Sequence, residues 1–399
     1  MSVIQISNYL VPIITIPYLV RTLGFSSYGL MTLTQMIIGY FEQFMTYSFS
    51  LTAPKAIAQD SDDSKKVNHI FHTIIYTKIV LFLFCLLILG ILVLAVPFFW
   101  TLRTIIFAGL SILLANLLQI DWFFQGIQQM KNITYINLLG RFLSLVLLFV
   151  LVHSPEDAIG GLLSVTISQI IAGVLGWILA YRKFGLQLTR PDYAAIKNQL
   201  QSGFNVFSSQ FLVRFYSAEG NIAILGFWAN TTIIGTYALA NRIFAFIVNT
   251  AIPINTALYP YLAQLYAVDY TRYRKEFRRI GQLYFVAYSL FALILFLTAD
   301  WLILLIAKTP NNDAALILKI LSSAIIISPF GALYTQNLII HQKVKYLLLI
   351  CIIAIVVNLA TLIPAFYYFQ GVGLAINNVI VYWVIFFMPI IIMKRLKIV

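Results

Sequence analysis

Charged residues are scarce in this 399-residue chain and make up only 10% of it. Hydrophobic residues make up 61%, and the mean hydropathy is +0.92. Soluble domains carry about 25% charged residues and already expose much of their apolar surface to water. This composition therefore excludes a soluble globular fold and predicts a polytopic membrane protein.

Cysteine, histidine and acidic residues are also scarce. The two cysteines lie singly within apolar runs, which excludes a disulfide framework and a cysteine metal site. The four histidines show no spacing typical of a metal site or a catalytic triad, and we interpret His69 and His72 as surface residues. Asp60, Asp62 and Asp63 resemble a magnesium site for a diphosphate, but their serine and lysine neighbours favour a solvated loop. We predict a protein without catalytic activity, metal or cofactor, and coupling to a proton or sodium gradient stays open.

Apolar runs of about 20 residues, long enough to cross roughly 30 Å of hydrocarbon, recur along the whole chain. They predict an all-α membrane protein with twelve transmembrane helices. We assign residues 1–181 to an N-terminal six-helix lobe, 182–202 to a cytoplasmic linker and 203–399 to a C-terminal six-helix lobe. Residues 194–200 of the linker could form a short interfacial helix, but we favour a solvated connector. The runs lie at 3–20, 29–51, 71–95, 103–124, 133–152, 158–180, 203–227, 231–258, 280–299, 314–339, 346–368 and 372–393.

The two halves of the chain share a repeat. The tripeptide Leu-Gly-Phe at 23–25 returns at 225–227, and a fixed offset of 206 relates further matches beyond it. A duplication of six helices would make the halves parallel repeats about an axis near the membrane normal, because six is even. Each Leu-Gly-Phe phrase is predicted to mark a tight outer turn that glycine permits. The matched pairs are Gly29 with Gly235, Leu33 with Leu239, Gln35 with Asn241, Ile37 with Ile243 and Pro54 with Pro260.

Lysine and arginine are concentrated in one set of predicted loops. Eighteen of them lie in alternate connections and the C-terminal tail, whereas the opposite loops hold only Arg21, Arg103 and Lys308. The positive-inside rule then places both termini in the cytoplasm. Because these residues are scattered over short loops, the net charge of +13 is not taken as a sign of nucleic-acid binding.

Ionisable groups deep within the spans are the strongest functional candidates, because each is costly there unless it is paired or hydrated. Arg141, Arg214 and Arg242 are the deep basic residues. A cavity lined by them would attract an anion, and arginine is suited to bidentate contact with phosphate. Glu42 and Glu219 are candidates for proton or sodium coupling.

Three further charges lie nearer the ends of the predicted spans. Lys78 and Asp121 are closer to the cytoplasmic ends and Lys319 is closer to the outer end, and we predict secondary charges of the pathway there. The alternative for all of the intramembrane charges is ion pairing between helices that only holds the bundle together. The sequence leaves both interpretations open.

Several phrases resemble a known family, the Wzx-type polysaccharide-unit flippases. The start of that family's sequences resembles two segments of this chain, NYLVPIITIPYLVRTLGFSSYGLMTLTQMIIGYF and the following FSLTAPKAIAQ. Its connection between the fourth and fifth spans resembles DWFFQGIQQMKNITYINLLGRF, and its seventh and eighth spans resemble NIAILGFWANTTIIGTYALANRI. The similarity runs nearly end to end. One departure is that family members usually carry a short basic segment before the first span.

The resemblance implies the MATE-like fold, in which two six-helix lobes surround a central cavity. It implies an oligosaccharide repeat unit on undecaprenyl diphosphate as the substrate, moved from the cytoplasmic to the periplasmic leaflet of a bacterial inner membrane. Arg141, Arg214 and Arg242 are the positions that fit the family's cationic lumen. The implied partners are this lipid-linked oligosaccharide, the bilayer and other membrane proteins of polysaccharide assembly.

Three alternatives remain open at this point. A cation-coupled drug or metabolite antiporter of the same fold would need carboxylates rather than arginines in its cavity. A membrane-embedded polysaccharide polymerase or ligase would be expected to carry a long periplasmic loop, whereas the outer loops predicted here are short. A structural scaffold for polysaccharide assembly would tolerate alanine at Arg214 and Arg242.

Overall fold

The protein is described here by a computed structural model that covers the backbone of residues 2–343 and 345–396 and the side chains of residues 11–218, 220–343 and 345–396. All regular secondary structure in these ranges is helical. The chain forms two compact units, Met1–Phe211 and Leu212–Val399. Eight helical stretches of the described part are long and apolar enough to cross a membrane. The all-helical membrane fold is therefore confirmed, and the number of twelve spans stays a prediction.

Within the described residues, the first unit comprises nine helices, and the last of them extends three residues beyond Phe211. Their lengths follow the apolar runs, and short turns separate most of them. The helices are α1 (Ser2–Thr46), α2 (Phe49–Gln59), α3 (Ser64–Ala95), α4 (Pro97–Thr101), α5 (Arg103–Leu118), α6 (Asp121–Gly126), α7 (Met130–Leu151), α8 (Ala158–Phe184) and α9 (Tyr193–Arg214).

The two Leu-Gly-Phe phrases adopt different backbone conformations. Gly24 interrupts α1 with φ 70° and ψ 172°, a conformation that glycine adopts far more readily than other residues. Gly226 has φ −55° and ψ −23°, which is ordinary right-handed helical geometry. The glycine argument therefore holds for the first phrase and is wrong for the second, where the chain turns over residues 226–230.

The phrase Asp-Trp-Phe-Phe-Gln-Gly forms the short helix α6 and supplies the aromatic core of the first unit. Residues 122–124 are at most 6% exposed, and Phe71 of α3 packs edge-on against the central phenylalanine with ring centroids 5.1 Å apart. A Cβ atom at Gly126 would lie 2.6 Å from the Ile57 side chain, so glycine allows α6 to approach α2 closely. This motif therefore serves packing between helices.

The predicted linker is ordered against the first unit. Helix α8 ends at Phe184, residues 185–192 carry no regular secondary structure, and α9 begins at Tyr193. We call residues 185–192 the strap. Residues 194–200 belong to the 22-residue helix α9, so the interpretation of these residues as a solvated connector is wrong. Their polar composition did not indicate a helix, although the helix continues from them into an apolar stretch.

Side chains of α3 hold the strap in place. The Asn68 amide binds the Gln187 backbone twice, because its Nδ2 donates to the carbonyl at 2.9 Å and its Oδ1 accepts from the N–H at 3.0 Å. The Tyr76 hydroxyl donates to the Thr189 carbonyl at 2.5 Å. Leu186 is 8% exposed and joins the core of the first unit. The strap is thus fixed by backbone-directed hydrogen bonds and by one buried apolar side chain.

The last residue of the strap, Asp192, is also held in place, by contacts at the protein surface. Asp192 accepts hydrogen bonds from the N–H groups of Ala195 and Ala194 at the start of α9, and His69 lies 3.4 Å from its carboxylate. The Ala195 N–H, followed by His69 and the Ala194 N–H, lowers the pKa of Asp192 below its usual range. The carboxylate therefore stays charged at neutral pH and caps the helix.

Substituting Asn68 with alanine is expected to release the strap. Because two hydrogen bonds to Gln187 are lost, amide hydrogen exchange across residues 185–192 should accelerate about tenfold. Hydrogen–deuterium exchange with mass spectrometry of the detergent-solubilised protein measures this. Asn198→Ala makes the same chemical change at an exposed position of α9 and should leave the rate unchanged. Equal exchange in both variants would show that Asn68 does not hold the strap.

The start of α9 packs on the junction between α1 and α2. The Tyr47 ring stacks on Phe207 with centroids 4.7 Å apart, and the Tyr47 hydroxyl donates to the Leu200 carbonyl at 2.6 Å. A Cβ atom at Gly203 would collide with Ser48, so the two backbones lie close together here. One face of α9, which carries the buried residues Ile196, Gly203 and Phe207, therefore packs in the first unit.

The second unit is built around α14, whose residues are mostly buried. Leu318, Leu321 and Ile325 on this helix have no exposed surface. The 51-residue helix α16 is interrupted at Gln370, which has φ 48° and ψ −123°. The helices of this unit are α10 (Ala218–Leu225), α11 (Thr231–Asn249), α12 (Ala251–Val268), α13 (Tyr270–Ala307), α14 (Asn312–Ile325), α15 (Ser328–Ile340) and α16 (Lys345–Arg395).

Candidate functional site

Lys78 lies within electrostatic range of two other predicted site residues inside the first unit. Lys78 on α3 is 3% exposed and interacts electrostatically with Asp121 and Glu42. Its Nζ donates hydrogen bonds to the carbonyl of Asn116 and, at 3.3 Å, to that of Gln119. We call Glu42, Lys78, Asn116 and Asp121 the charge cluster.

Lys78 caps the C-terminus of α5. The last carbonyls of a helix lack partners within the helix, and cations are favourable beside them. Lys78 binds two of the carbonyls at this helix end, and the Trp177 indole N–H donates to a third, that of Leu118, at 3.0 Å. This contact gives the buried ammonium a structural role whatever else it does.

The two carboxylates of the charge cluster lie on either side of Lys78 in the sequence. Asp121 is the first residue of α6, where the helix N-terminus favours a negative charge, and Asn137 donates to its Oδ2 at 3.4 Å. Glu42 lies on α1 and is partly buried. With both carboxylates ionised, the charge cluster carries one more negative than positive charge.

Two side-chain oxygens contact the amide nitrogen of Asn116. Its Nδ2 donates to Glu42 Oε1 at 3.3 Å and to Thr46 Oγ1 at 3.0 Å. Its own Oδ1 is buried and accepts no hydrogen bond from the described part of the chain. A carboxylate that is partly buried and hydrogen-bonded in this way can take up a proton. This arrangement fits the predicted role of Glu42 better than it fits binding of an anion.

The three arginines occupy different helices. Arg141 is partly buried on α7 of the first unit, Arg214 is the last residue of α9, and Arg242 is exposed on α11. That they line one cavity stays a prediction. Glu219 lies on α10, and its side chain is outside the part of the protein that the structure describes.

Lys319 forms an ion pair that the sequence did not indicate. Its Nζ lies 2.6 Å from Asp300 Oδ2, which links α14 to α13. The aspartate side chain is 64% exposed, so the pair sits at the surface of the second unit. This geometry supports the structural alternative for Lys319.

His72 differs from the surface position expected for it. It is 3% exposed, and its two ring nitrogens contact the Asn68 carbonyl and the Tyr181 hydroxyl, each at 2.9 Å. His69 has a side chain that is 51% exposed, as expected. The surface interpretation is therefore wrong for His72, which is a satisfied core residue. Across the described residues, histidine, cysteine and carboxylate side chains form no group of three that could hold a metal ion.

A buried group of amides in the second unit was missed from the sequence. Asn358 donates to the Phe215 carbonyl at 2.8 Å and exchanges two hydrogen bonds with Asn221, at 2.8 and 3.1 Å. Asn377 donates to Asn358 Oδ1 at 2.7 Å and accepts from the Thr361 hydroxyl at 2.5 Å. We call Asn221, Asn358, Thr361 and Asn377 the amide cluster. It ties α10 to both segments of α16, and its uncharged members give no warning in a sequence.

Comparison with known proteins gives this architecture a family. A family model described as "Polysaccharide biosynthesis protein" matches residues 1–266. The chain belongs to this family. Two proteins with similar sequences are each named "Putative O-antigen transporter". One, from Escherichia coli (strain K12), is 30% identical over 94% of this chain and 91% of its own length. The other, from Shigella dysenteriae, is 23% identical over 93% of this chain and 92% of its own length.

Solved structures of other proteins share the fold. An inward-facing multidrug resistance MATE family transporter of the MOP superfamily has a TM-score of 0.70 and 14% identity, over 98% of this chain and 99% of that one. The lipid II flippase MurJ, in an inward closed conformation, has a TM-score of 0.74 and 12% identity, over 99% and 88%. The MATE-like fold and the resemblance to polysaccharide flippases are therefore confirmed.

Proposed function

We propose that this protein is a flippase for an undecaprenyl-diphosphate-linked oligosaccharide repeat unit. It would move the unit from the cytoplasmic to the periplasmic leaflet of a bacterial inner membrane by alternating access, without catalysing a covalent step. The observation that carries the proposal is the 30% identity, over nearly the whole chain, to a protein named as an O-antigen transporter. The excess of basic loop residues supports cytoplasmic termini.

Binding of the head group is assigned to the three arginines. A guanidinium group offers paired N–H donors that match two oxygens of a phosphate, and its charge persists inside a membrane protein. The exposed position of Arg242 on α11 leaves its guanidinium accessible to a ligand. Arg141 and Arg214, both partly buried, are assigned to the same head group.

Energy coupling is assigned to Glu42. Its carboxylate shares Asn116 with Thr46, and the buried Asn116 Oδ1 has unused acceptor capacity within the described residues. A proton on Glu42, or a sodium ion bound to its carboxylate, would remove the excess negative charge of the charge cluster. Glu219 is assigned the same role in the second unit.

A cation-coupled antiporter of the same fold is the second candidate. The observation that favours it is the mixed charge cluster, in which carboxylates outnumber the single ammonium. In that case the arginines would contribute nothing to transport, whereas Glu42 would be indispensable. The two functions thus differ in the effect expected at Arg242.

The deciding experiment uses cells that lack this gene and keep the upstream glycosyltransferases. Complete lipid-linked units are expected to accumulate on the cytoplasmic leaflet, and the wild-type gene should restore their export. Arg242→Ala and Arg214→Ala should each lower the export rate about tenfold or more, because each removes a charged hydrogen bond. Arg182→Ala, an exposed arginine at the end of α8, is the matched control and should export normally.

The contrary results separate the alternatives. Units that reach the periplasm without being polymerised would favour a polymerase or ligase. Unchanged lipid-linked sugars, together with a strict need for Glu42 in proton-driven efflux, would favour the antiporter. Full export by both arginine variants would contradict the assigned head-group site.

A further inference from the structure

Helix α13 is longer than a membrane requires. Its 38 residues, Tyr270–Ala307, extend about 57 Å at 1.5 Å per residue, whereas the hydrocarbon core is about 30 Å thick. Roughly half of the helix must therefore lie at or beyond the membrane surface. The charged residues of α13 before Asp300 are confined to residues 272–279, so the N-terminal half is the part that leaves the hydrocarbon.

This N-terminal half has two distinct faces. Tyr273, Phe277, Ile280 and Tyr284 are each at most 8% exposed and pack against the rest of the second unit. The opposite face bears a wide, open depression of about 610 Å³ that is lined by residues of α13 alone, four of them basic. We call this feature the basic groove, and its basic residues are Arg274, Lys275, Arg278 and Arg279.

The basic groove is poor in carboxylates. Within the described residues, one of its four cations forms an ion pair: Arg279 Nη1 lies 3.9 Å from Glu276 Oε1. The Arg279 side chain is 71% exposed. Such an exposed contact contributes little to stability. Arg274 and Arg278 are one helical turn apart, so their guanidinium groups project from the same side of the helix. The groove is therefore a concentration of positive charge that the protein itself does not neutralise.

Lipid-facing residues begin directly beyond the basic groove. Leu283, Val286 and Leu290 are 61%, 67% and 56% exposed, as expected for a surface in contact with acyl chains. The four cations thus stand within about two turns of the hydrocarbon boundary. That depth corresponds to the phosphates of the adjoining leaflet.

We propose that the basic groove is a binding site for the phosphate of an anionic phospholipid headgroup. Arg274 and Arg278 would bind the phosphate oxygens in bidentate fashion, and Lys275 and Arg279 would add charge. A bilayer phospholipid reaches the outward face of α13 without leaving the membrane, which favours it over soluble phosphates. The site anchors the long helix at the interface and does not depend on the proposed transport function.

The test is lipid binding by the full chain in a neutral detergent, followed by native mass spectrometry. The probes are short-chain phosphatidylglycerol, short-chain phosphatidylcholine and farnesyl diphosphate. Wild-type protein should bind phosphatidylglycerol about tenfold or more tightly than phosphatidylcholine, and a rise in salt should weaken this binding. The combined variant R274Q/K275Q/R278Q/R279Q should lose the preference.

A matched control removes four exposed basic residues from the first unit, in the variant K65Q/R182Q/K183Q/K197Q, and should retain the preference. Equal binding of the two phospholipids by wild-type protein would overturn the proposal, as would an unchanged preference in the groove variant. Displacement of phosphatidylglycerol by a tenfold lower concentration of farnesyl diphosphate would also overturn it, and would assign the groove to a polyprenyl carrier. If the fourfold variant does not fold, the double variant R274Q/R278Q replaces it. Its preference for phosphatidylglycerol is then compared with that of the wild-type protein.

Discussion

Substituting Lys78 with methionine is expected to lower the free energy of unfolding by about 3–5 kcal/mol, the usual cost of removing one partner from a buried charged group. Methionine fills a similar volume, so a cavity contributes little. The loss comes instead from the uncapped carbonyls of Asn116 and Gln119 and from the two carboxylates that face Lys78. Equilibrium unfolding of the purified protein in mixed micelles with increasing dodecyl sulfate measures it.

Lys319→Met is the matched control for this substitution. Its ion pair with Asp300 is exposed, so the expected change is at most about 1 kcal/mol. Adding Glu42→Gln to the Lys78 variant should recover part of the lost stability, because it removes one uncompensated negative charge. Equal losses at Lys78 and Lys319 would contradict the buried capping role.

Asn358→Leu is expected to destabilise the second unit by about 3 kcal/mol or more. Asn358 has no exposed surface, and its amide joins Asn221, Asn377 and the Phe215 carbonyl. Leucine has a similar size but leaves three buried polar groups without this partner, each at a cost of about 1–3 kcal/mol. The same unfolding titration measures the change.

Thr361→Val keeps the shape of the side chain and removes the hydroxyl that contacts Asn377 Oδ1 and the Val357 carbonyl, so a loss of about 1 kcal/mol is expected. Replacing Asn221, Asn358 and Asn377 together with leucine leaves far fewer unsatisfied groups. That triple variant should be more stable than Asn358→Leu alone. If the single variant is as stable as the wild type, the amide cluster does not support the fold.

The helical class and the membrane setting follow from hydropathy, because an apolar run of about 20 residues that crosses a bilayer satisfies its backbone hydrogen bonds as a helix. The internal repeat likewise predicts where the first turn falls, at Gly24. The second phrase differs, because Gly226 has right-handed helical geometry and the chain turns over residues 226–230 before Asn230 caps α11. A pattern of matched residues does not report backbone conformation.

The candidate site was predictable residue by residue but not as an assembly. Glu42, Lys78 and Asp121 stand out because charges are rare in apolar runs. Their sequence separations of 36 and 43 residues give no sign that they lie near one another, since that depends on how α1, α3 and α6 pack. The amide cluster gave no signal, because asparagine is uncharged and is equally common at helix caps.

Helix α9 limits how this protein could be produced as two separate polypeptides. If the chain were divided within the strap, α9 would belong to the C-terminal polypeptide. Phe207 would then be separated from Tyr47, on which it stacks. Both pieces would then display aromatic surface that the intact chain buries, which favours aggregation during synthesis. Since the boundary between the compact units falls inside this helix, a break directly after Arg214 keeps α9 whole and leaves the N-terminal piece with its complete core.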